Sequence, residues 1–533
     1  MAGELSFDLA LEPWLPVRFT DGRSGSVGLA EALTRAHEIS GLDIEFPTQE
    51  PPILRLLLAC CYRAFGGPAD DTAWRKLWEA PVLPTEVIEA YFERWADRFD
   101  LFDSEAPFFQ SPGLGAVGGG GPKTANKLIS YAPSGNNVPL FTPVTDATGL
   151  ALSAAEAGRW LVERHAWGTT SDKTGAEGNP KVKAGKDAPQ VGHVGWIGFV
   201  APIGPTLRET LLLNLVPWSR TGFIRGGSED LPAWERPPLG PMHETRPPEG
   251  VCDLYTWQGR RIRLCPEMRA DEVVVTGVVI CAGDSVDREA ARGVDPHTGW
   301  RRITQGSIDY SPLRARTGQQ VWRGLSALLA LSEGENRAAV LSWVAALEAR
   351  GVQSVSLLVT STKFGNMSTT IEDLLSDRLD TPVAVLRTED LEAATLAGYA
   401  VHFADAAARA LGFVSDASFV KHNDETDRYE VPEGKRIQAS ASRNGLAEEL
   451  YSALDAPYRH FLMELGSSEL RAMAIASWAA TVTAAARAVA RRRLAELPAS
   501  QAFAGASCEL RFERALRKAR EDFNPLPEEK GVA

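Results

Sequence analysis

Two glycine-containing segments carry the residues whose types and spacing could do chemistry. The first contains four successive glycines, Gly118–Gly121, and the second alternates glycines with lysines over residues 167–187. Glycine lets a backbone approach a ligand closely, and lysine supplies positive charge for phosphate groups. Loops this long in a compact protein are more often functional or disordered than incidental. The pattern therefore predicts either a phosphate-binding surface or two ordinary surface loops, and the residues alone leave both open.

The motifs of phosphate-transferring and hydrolytic enzymes are missing from the sequence. Pro180 stands where a Walker loop ending at Lys186 requires its first glycine, and neither HExxH nor GxSxG occurs. The acidic residues Asp100, Asp103 and Glu105, with His297 as a further ligand, keep a metal-dependent nuclease open as an alternative. The aromatic residues beside the acidic cluster favour a packing role, so we expect no metal site and no cofactor.

Charge and cysteine content limit the classes of protein to consider. The formal net charge is −13, which argues against coating nucleic acid through a global positive field. Any contact with nucleic acid must then be a confined patch. The six cysteines form no CxxC pair, which is typical of reduced thiols in a cytoplasmic protein. We expect no membrane segment and no signal peptide, because no long apolar run or basic N-terminal region is present.

The elements that must position these loops read as a mixture of helices and strands. Residues 52–65 form an apolar run with proline at its start, and Ser153 and Glu156 have the spacing of a capping box. Residues 251–282 alternate apolar and polar side chains and predict strands. A helix beginning near Gly318 places Gln319 and Gln320 at an exposed junction between loop and helix.

The last third of the chain changes character. Four amphipathic helices with mostly modest connections predict a bundle, with Gly412 ending the first helix and Pro457 bending the second. The fold class is therefore α+β, with a large mixed domain at 1–370 that carries irregular loops and a four-helix bundle at 371–533. The basic run Arg491–Arg493 fits either a solvated helix face or a contact with single-stranded DNA or a partner subunit.

Several stretches in a fixed order resemble a known family. They are FDLALEPWLPV, the apolar LRLLLA helix, FDLF followed by PFFQ, a loop containing NN, WGTTSDKTG, LRETLLLNL and the C-terminal bundle. Together they resemble the CasA family, the large subunit of the type I-E CRISPR Cascade complex. Each stretch is weak alone, and their order and spacing over most of the chain make the resemblance specific.

The resemblance implies a non-catalytic DNA-binding role. A subunit of this family finds the protospacer-adjacent motif (PAM) in target double-stranded DNA, starts strand separation for R-loop formation and helps recruit the helicase–nuclease. Its implied partners are target DNA, the CRISPR guide RNA, other Cascade subunits and that helicase–nuclease. The alternatives are the metal-dependent nuclease and a purely structural adaptor in a ribonucleoprotein.

The resemblance also implies which residues act. The glutamine wedge of the family maps to Gln320, with Gln319 as the close rival, and the guide-reaching loop maps to Asn136, Asn137, Leu140 and Phe141. The minor-groove lysine has no counterpart, because the expected stretch VTGVVICAGDS contains no lysine. The glycine loop maps to Trp167, Gly168, Thr169, Thr170, Ser171, Lys173 and Gly175, where threonines and serine stand in positions that relatives fill with glycine.

Overall fold

The computed structural model describes residues 5–131, 149–220, 222, 224–304, 309–330, 335–347, 350–387, 391–423 and 428–523. The chain divides into two compact units. The first contains residues 1–318, 334–344 and 356–378, and the second contains 319–333, 345–355 and 379–533. The predicted α+β class is confirmed, with 46% of the chain helical and 19% in strands. The predicted boundary at 370/371 stays a prediction.

The helices of the first 300 residues surround the loop-bearing segments. They are Leu29–Thr34, Glu50–Phe65, Asp71–Glu79, Thr85–Arg94, Ala154–Trp167, His193–Ile197, Leu207–Asn214, Val251–Tyr255 and Arg288–Arg292. The predicted apolar helix is Glu50–Phe65, whose prolines lie in the first turn, where their missing amides cost no hydrogen bond. It ends at Gly66 in the left-handed conformation.

The strands form several small sheets. They are Leu15–Phe19, Ser24–Val27, Ile39–Leu42, Lys123–Thr124, Leu152–Ser153, Phe199–Ile203, Thr245–Arg246, Arg260–Arg269, Glu272–Ala282, Ser285–Val286, Gly299–Arg302, Tyr310–Leu313, Glu335–Asn336, Ser354–Phe364, Ile371–Pro382, Lys421–Asn423 and Arg428–Glu430. One expectation is wrong: Val251–Tyr255 is a short helix, because these residues are buried on every side and their alternation of polarity does not reflect a sheet face.

A long antiparallel hairpin anchors the segment that precedes the loop-bearing helix. Strand Glu272–Ala282 pairs with Arg260–Arg269 and also with the short strands Lys123–Thr124 and Leu152–Ser153. Both ends of the intervening 125–151 segment are therefore held on one strand. The helix Ala154–Trp167 then starts with the predicted capping box, in which Ser153 and Glu156 satisfy each other's backbone amides.

A second antiparallel pair supports the other side of the loop region. Within the first unit, residues 356–360 of strand Ser354–Phe364 pair with Phe199–Ile203. The next strand along the chain, Ile371–Pro382, lies on the opposite edge of Ser354–Phe364. The tight connection between these two long strands, residues 365–370, is a hairpin tip.

The second unit contains the predicted bundle. Its four long helices are Leu391–Asp416, Arg436–Glu464, Arg471–Ala495 and Ala502–Asp522, and the shorter Leu325–Leu329 and Val383–Leu386 belong to the same unit. Gly412 does not end the first long helix, which continues to Asp416. Pro457 lies inside the second helix, as expected. The helix Ala339–Ala345 belongs to the first unit except for its last residue.

Aromatic side chains fill the bundle core. Trp322 stacks on Tyr458 with ring centroids 4.6 Å apart, and Trp478 meets Tyr458 edge-on at 5.3 Å. The polar ends of two of these rings reach backbone carbonyls, because Tyr458 donates to Ala397 and Trp478 donates to Ala400. Such aromatic pairs contribute about 0.5–1.5 kcal/mol beyond the burial of their area.

Arg471–Ala495 is the one helix among the described residues that is long and apolar enough to cross a membrane. Its Trp478, Val482 and Val489 are buried within the unit. A core helix of a soluble protein meets the same criteria, so the expectation of no membrane segment stays a prediction. In the basic run, Arg492 pairs with Glu449 and Arg493 pairs with Glu496.

Candidate nucleic-acid interface

The inner half of the predicted glycine loop is part of the core of the first unit. Trp167 is fully buried, and its indole N–H donates to the Thr48 carbonyl at 2.7 Å. Gly168 ends the preceding helix, and a β-carbon there would lie 2.9 Å from the guanidinium of Arg260. A β-carbon at 168 would also lie 2.7 Å from the Arg164 carbonyl oxygen, so internal packing by itself favours glycine at this position.

An ion cluster under the loop holds this inner half in place. The carboxylate of Asp172 is 1% exposed and accepts from Arg260 Nε at 2.9 Å and from Arg164. Arg260 also donates to the carbonyl of Thr169 at 2.7 Å. Burial alone raises the pKa of Asp172, but the two arginines overcome this effect and lower it to about 2. The carboxylate is therefore ionised and fixes the backbone of residues 169–172.

Several backbone amides of the loop already donate inside the protein. They donate at 2.8–3.0 Å to internal carbonyls, and these donors are Gly168, Thr170, Lys173, Gly175 and, farther on, Gly192. A β-carbon at Gly175 would collide with Val182, which shows that this glycine also serves internal packing. In this conformation these five amides are not available as donors to an external ligand.

The segment that continues this loop to residue 187 presents lysines on a hydrogen-bonded turn. Lys183 and Lys186 exchange two backbone hydrogen bonds of 3.0 Å across Ala184 and Gly185, which both have positive φ. Two left-handed central residues define the tight turn that matches the twist of a hairpin. Lys173, Lys183 and Lys186 are exposed and, within the described part of the chain, form no ion pair. These lysines therefore place exposed positive charges on and beside a short turn that backbone hydrogen bonds hold.

The hairpin tip at 365–370 lies directly against the loop. The Thr170 amide donates to the Ser368 carbonyl at 3.0 Å, and the Thr170 hydroxyl donates to the Met367 carbonyl at 2.6 Å. Met367 and Ser368 both adopt positive φ, at 52° and 57°, which is unfavourable for side chains of their size. The Met367 side chain is 76% exposed. Sequence reasoning missed this element, although the Gly-Asn pair after an apolar strand is a turn signal.

Gln319 and Gln320 belong to the second unit, whereas the loop belongs to the first. Both glutamines are half-buried, in contrast to the expected exposure. Gln320 precedes a single 3₁₀ turn, Val321–Gly324, and its side-chain oxygen is buried with no hydrogen-bond partner within the described residues. The burial follows from Val321 and Trp322, which pack inside the unit directly after it. The role of the two glutamines stays a prediction.

Asn136, Asn137, Leu140 and Phe141, the predicted guide-reaching residues, lie outside the described residues. The described residues before them are anchored: Ser130 donates to Glu163 at 2.6 Å, and Tyr131 donates to Thr48 at 2.9 Å. Glu163 is fully buried, and burial raises the pKa of its carboxyl group to about 7. Its second oxygen is buried and has no partner in the described part of the chain.

The residues of the alternative nuclease site have other partners. Asp100 accepts from the Phe102 amide at 2.6 Å, and Asp103 accepts from the amides of Glu105 and Ala106 at 2.8 and 2.6 Å. These are local turn contacts. His297 is fully buried, and burial lowers its pKa to about 3. Within the described ranges, no group of three or more His, Cys, Asp or Glu side chains is arranged to hold a metal ion.

Comparison with known proteins gives consistent results. A family model described as CRISPR-associated protein Cse1 matches residues 8–489. A crystal structure of Cse1 from Acidimicrobium ferrooxidans is 57% identical, with a TM-score of 0.92 over 98% of this chain and 100% of that one. Cse1 of Thermobifida fusca is 29% identical, with a TM-score of 0.84 over 97% of this chain and 98% of that one.

A curated relative, CRISPR-associated protein CasA/Cse1 of Thermus thermophilus, is 34% identical over 334 residues. The aligned region covers 62% of this chain and 61% of that relative, so the chain matches less than two thirds of its length.

Proposed function

Because the chain belongs to the Cse1 (CasA) family of CRISPR-associated proteins, we propose that it is the PAM-reading subunit of a type I-E Cascade complex. In this proposal it binds target double-stranded DNA beside the protospacer and starts the unwinding that leads to an R-loop. It breaks no covalent bond itself, and it helps to recruit the helicase–nuclease that does.

The contact between the 167–175 loop and the hairpin tip is the observation that carries the proposal. Two hydrogen bonds from Thr170 hold the tip against the loop, and the exposed lysines lie on the continuation of the same loop. Lysines that lack acidic partners can neutralise phosphates, and this sequence-independent contact supplies most of the affinity of non-specific DNA binding. A small cationic patch of this kind suits a chain whose net charge is −13.

Readout of the flanking motif then depends on side chains. The minor groove distinguishes A·T from G·C pairs and little else, so a reader working there accepts several related motifs. The hydroxyl groups of Thr169 and Ser171 lie 2.8 Å apart, and Ser171 is partly exposed, so this pair can exchange its mutual hydrogen bond for one to a base edge. Tolerance of several motifs is acceptable because guide pairing supplies the detailed specificity.

Two elements compete for the role of the wedge. The family resemblance assigns it to Gln320 or Gln319. The hairpin tip is favoured by a separate observation, because Met367 is exposed, held in a strained conformation and bonded to the loop. Methionine is among the apolar side chains that minor-groove proteins insert between base steps, at a cost of a few kcal/mol for unstacking. Strained residues of this kind cluster at functional sites.

The remaining parts of the proposal follow from the family. The segment containing Asn136, Asn137, Leu140 and Phe141 contacts the 5′ end of the guide RNA and a neighbouring subunit. The bundle provides surfaces for other Cascade subunits and for the helicase–nuclease. The complex acts in the cytoplasm, where foreign DNA enters.

Reconstituted complexes with and without this chain test the proposal. Duplexes that share one protospacer but carry a randomised flanking motif are incubated with each complex, and the bound fraction is sequenced. We expect the complex with the chain to enrich a small set of motifs and the complex without it to enrich none. Equal binding to every flanking sequence contradicts motif recognition and favours the structural adaptor.

The nuclease alternative has its own test. The purified chain is incubated with DNA and Mg²⁺ or Mn²⁺, and the products are separated on a denaturing gel. We expect intact DNA. Cleavage that is lost in Asp100→Ala contradicts the proposed non-catalytic role.

A further inference from the structure

A cavity of about 510 Å³ lies in the first unit, beside the proposed DNA-binding loop. Its lining includes the aromatic stretch that contains Phe108 and Phe109 and most of the irregular segment 236–246. Lys181, from the lysine-bearing loop, lines the cavity at one side. Its volume lies within the range of about 300–1,000 Å³ that is typical of small-molecule sites.

The aromatic wall is held in a strained conformation. Phe109 has φ of 55°, which is a left-handed conformation that bulky residues rarely adopt. The strain is maintained from outside: the His165 ring donates from Nε2 to the Phe109 carbonyl at 2.9 Å, since its Nδ1 accepts from the Arg260 amide. Phe108 and Phe109 stack with ring centroids 4.4 Å apart and planes within 1°. Their edges and Leu239 give the cavity an apolar side.

The polar side of the cavity has an excess of positive charge. Two of the three acidic residues are neutralised, since Asp253 pairs with Arg246 at 2.6 Å and Asp284 pairs with Arg261 at 2.7 Å. Arg98 donates one N–H to the Arg236 carbonyl at 2.7 Å, but its Nε is buried with no partner within the described residues. The lining contains five basic and three acidic side chains, namely Arg98, Lys181, Arg236, Arg246, Arg261, Glu244, Asp253 and Asp284. A cavity with this lining favours an anion that also has a flat apolar part.

We propose that this cavity binds a single nucleotide, with the base beside Phe109 and Leu239 and the phosphate between Arg98 and Lys181. Arginine and lysine are the side chains that proteins use for phosphate, and aromatic and aliphatic walls accept any base. The nucleotide is either free in solution or extruded from a strand that follows the lysine loop into the cavity. The second source rests on the proposed DNA-binding role, whereas the first does not.

Isothermal titration calorimetry on the full chain tests the site with AMP, adenosine and inorganic phosphate as probes. We expect one AMP per chain, with adenosine and phosphate each binding at least about tenfold more weakly, because each lacks one half of the recognition. Lys181→Glu is expected to weaken AMP binding by about tenfold or more. Lys76→Glu is the matched control, since Lys76 is an exposed lysine on helix Asp71–Glu79 that does not line the cavity and has no part in the proposed DNA-binding loop.

Leu239→Asp provides a second variant, because it places a negative charge on the cavity wall without touching the lysine loop. Loss of AMP binding in this variant and in Lys181→Glu, with binding retained in Lys76→Glu, supports the proposal. No saturable heat at about 1 mM AMP, or an equal loss in the two lysine variants, overturns it.

Competition identifies the source of the nucleotide. A short single-stranded oligonucleotide that displaces AMP assigns the cavity to an extruded nucleotide, and one that does not displace it assigns the cavity to a free nucleotide. Motif-dependent binding of duplex DNA by the reconstituted complex is measured in parallel. If AMP binding fails while motif dependence persists, the cavity proposal is wrong and the proposed function stands.

Discussion

Single residues determine whether the proposed DNA-binding loop has one conformation. Asp172 is the central residue of the ion cluster, because its carboxylate forms ion pairs with Arg164, Arg260 and, at 3.7 Å, Lys127. A buried ion pair adds little net stability by itself, but removing one partner leaves the others charged and without compensation. The conformation of the loop thus depends on a buried residue.

Asp172→Asn is expected to lower the free energy of unfolding by about 3–5 kcal/mol, since two buried arginines lose their counter-charge. Urea denaturation of the full chain measures the change. Asp97→Asn, at an exposed aspartate, is the control and is expected to change stability by less than about 0.5 kcal/mol. A loss below about 1 kcal/mol in Asp172→Asn contradicts the assigned role.

Glu163 gives a prediction about pH. Burial raises its pKa from 4.5 to about 7 in the folded protein, so the folded state binds this proton more tightly than the unfolded state does. The contribution of this proton to the free energy of unfolding is complete below pH 4.5 and is lost as the pH rises through about 7. The difference in unfolding free energy between the parent and Glu163→Gln, measured across this range, is expected to follow that course. A difference that does not vary with pH contradicts it.

At the scale of elements, the lysine turn and the hairpin tip have separable roles. The turn at 183–186 carries charge, and the tip at 365–370 carries an exposed apolar side chain. The turn is held by its own paired backbone hydrogen bonds, and the tip is held by two hydrogen bonds from Thr170, which is distant in the chain. One element is suited to hold a duplex and the other to disturb it.

The double variant Lys183→Ala, Lys186→Ala is expected to reduce the slope of log K against log salt by about 2, because each phosphate contact contributes about one unit. Duplex binding by the reconstituted complex is measured at several salt concentrations. Preference among flanking motifs is expected to stay unchanged. Lys76→Ala, at an exposed lysine on helix Asp71–Glu79, is the control. An unchanged slope in the double variant contradicts phosphate contact.

Met367→Ala is expected to slow R-loop formation by about tenfold or more, since unstacking a base step costs a few kcal/mol that the wedge offsets. Complex assembly is expected to remain normal, because the side chain is exposed. Met268→Ala, at a methionine that is 54% exposed on the other long hairpin, is the control. If only the double variant Gln319→Ala, Gln320→Ala slows the reaction, the wedge belongs to the glutamines.

The sequence predicts elements well where local chemistry decides them. The capping box at Ser153, the proline-started helix Glu50–Phe65 and the four bundle helices are each set by neighbouring residues. The sequence predicts local structure poorly where contacts between residues far apart in the chain determine it. Gly168 suggests ligand approach, but its space is taken by Arg260, which is 92 residues away in the chain. The contact of Thr170 with Met367 joins residues 197 apart and leaves no local signal.

At the scale of the whole molecule, the two units divide the work that the family resemblance implies. The first unit contains the loop, the lysine turn, the hairpin tip and the cavity, and the second contains the bundle and the glutamines. A net charge of −13 limits attraction to DNA in general, so the proposed binding requires this small positive patch and the complex around it.

The proposed role in unwinding is measured by the opening of the duplex next to the motif. A fluorescent base analogue is placed in the first protospacer position, and its signal is followed after mixing with complexes that contain or lack this chain. We expect fast opening that requires both the chain and a correct flanking motif, with every phosphodiester bond intact afterwards. Opening at the same rate without the chain, or with a scrambled flanking motif, contradicts it.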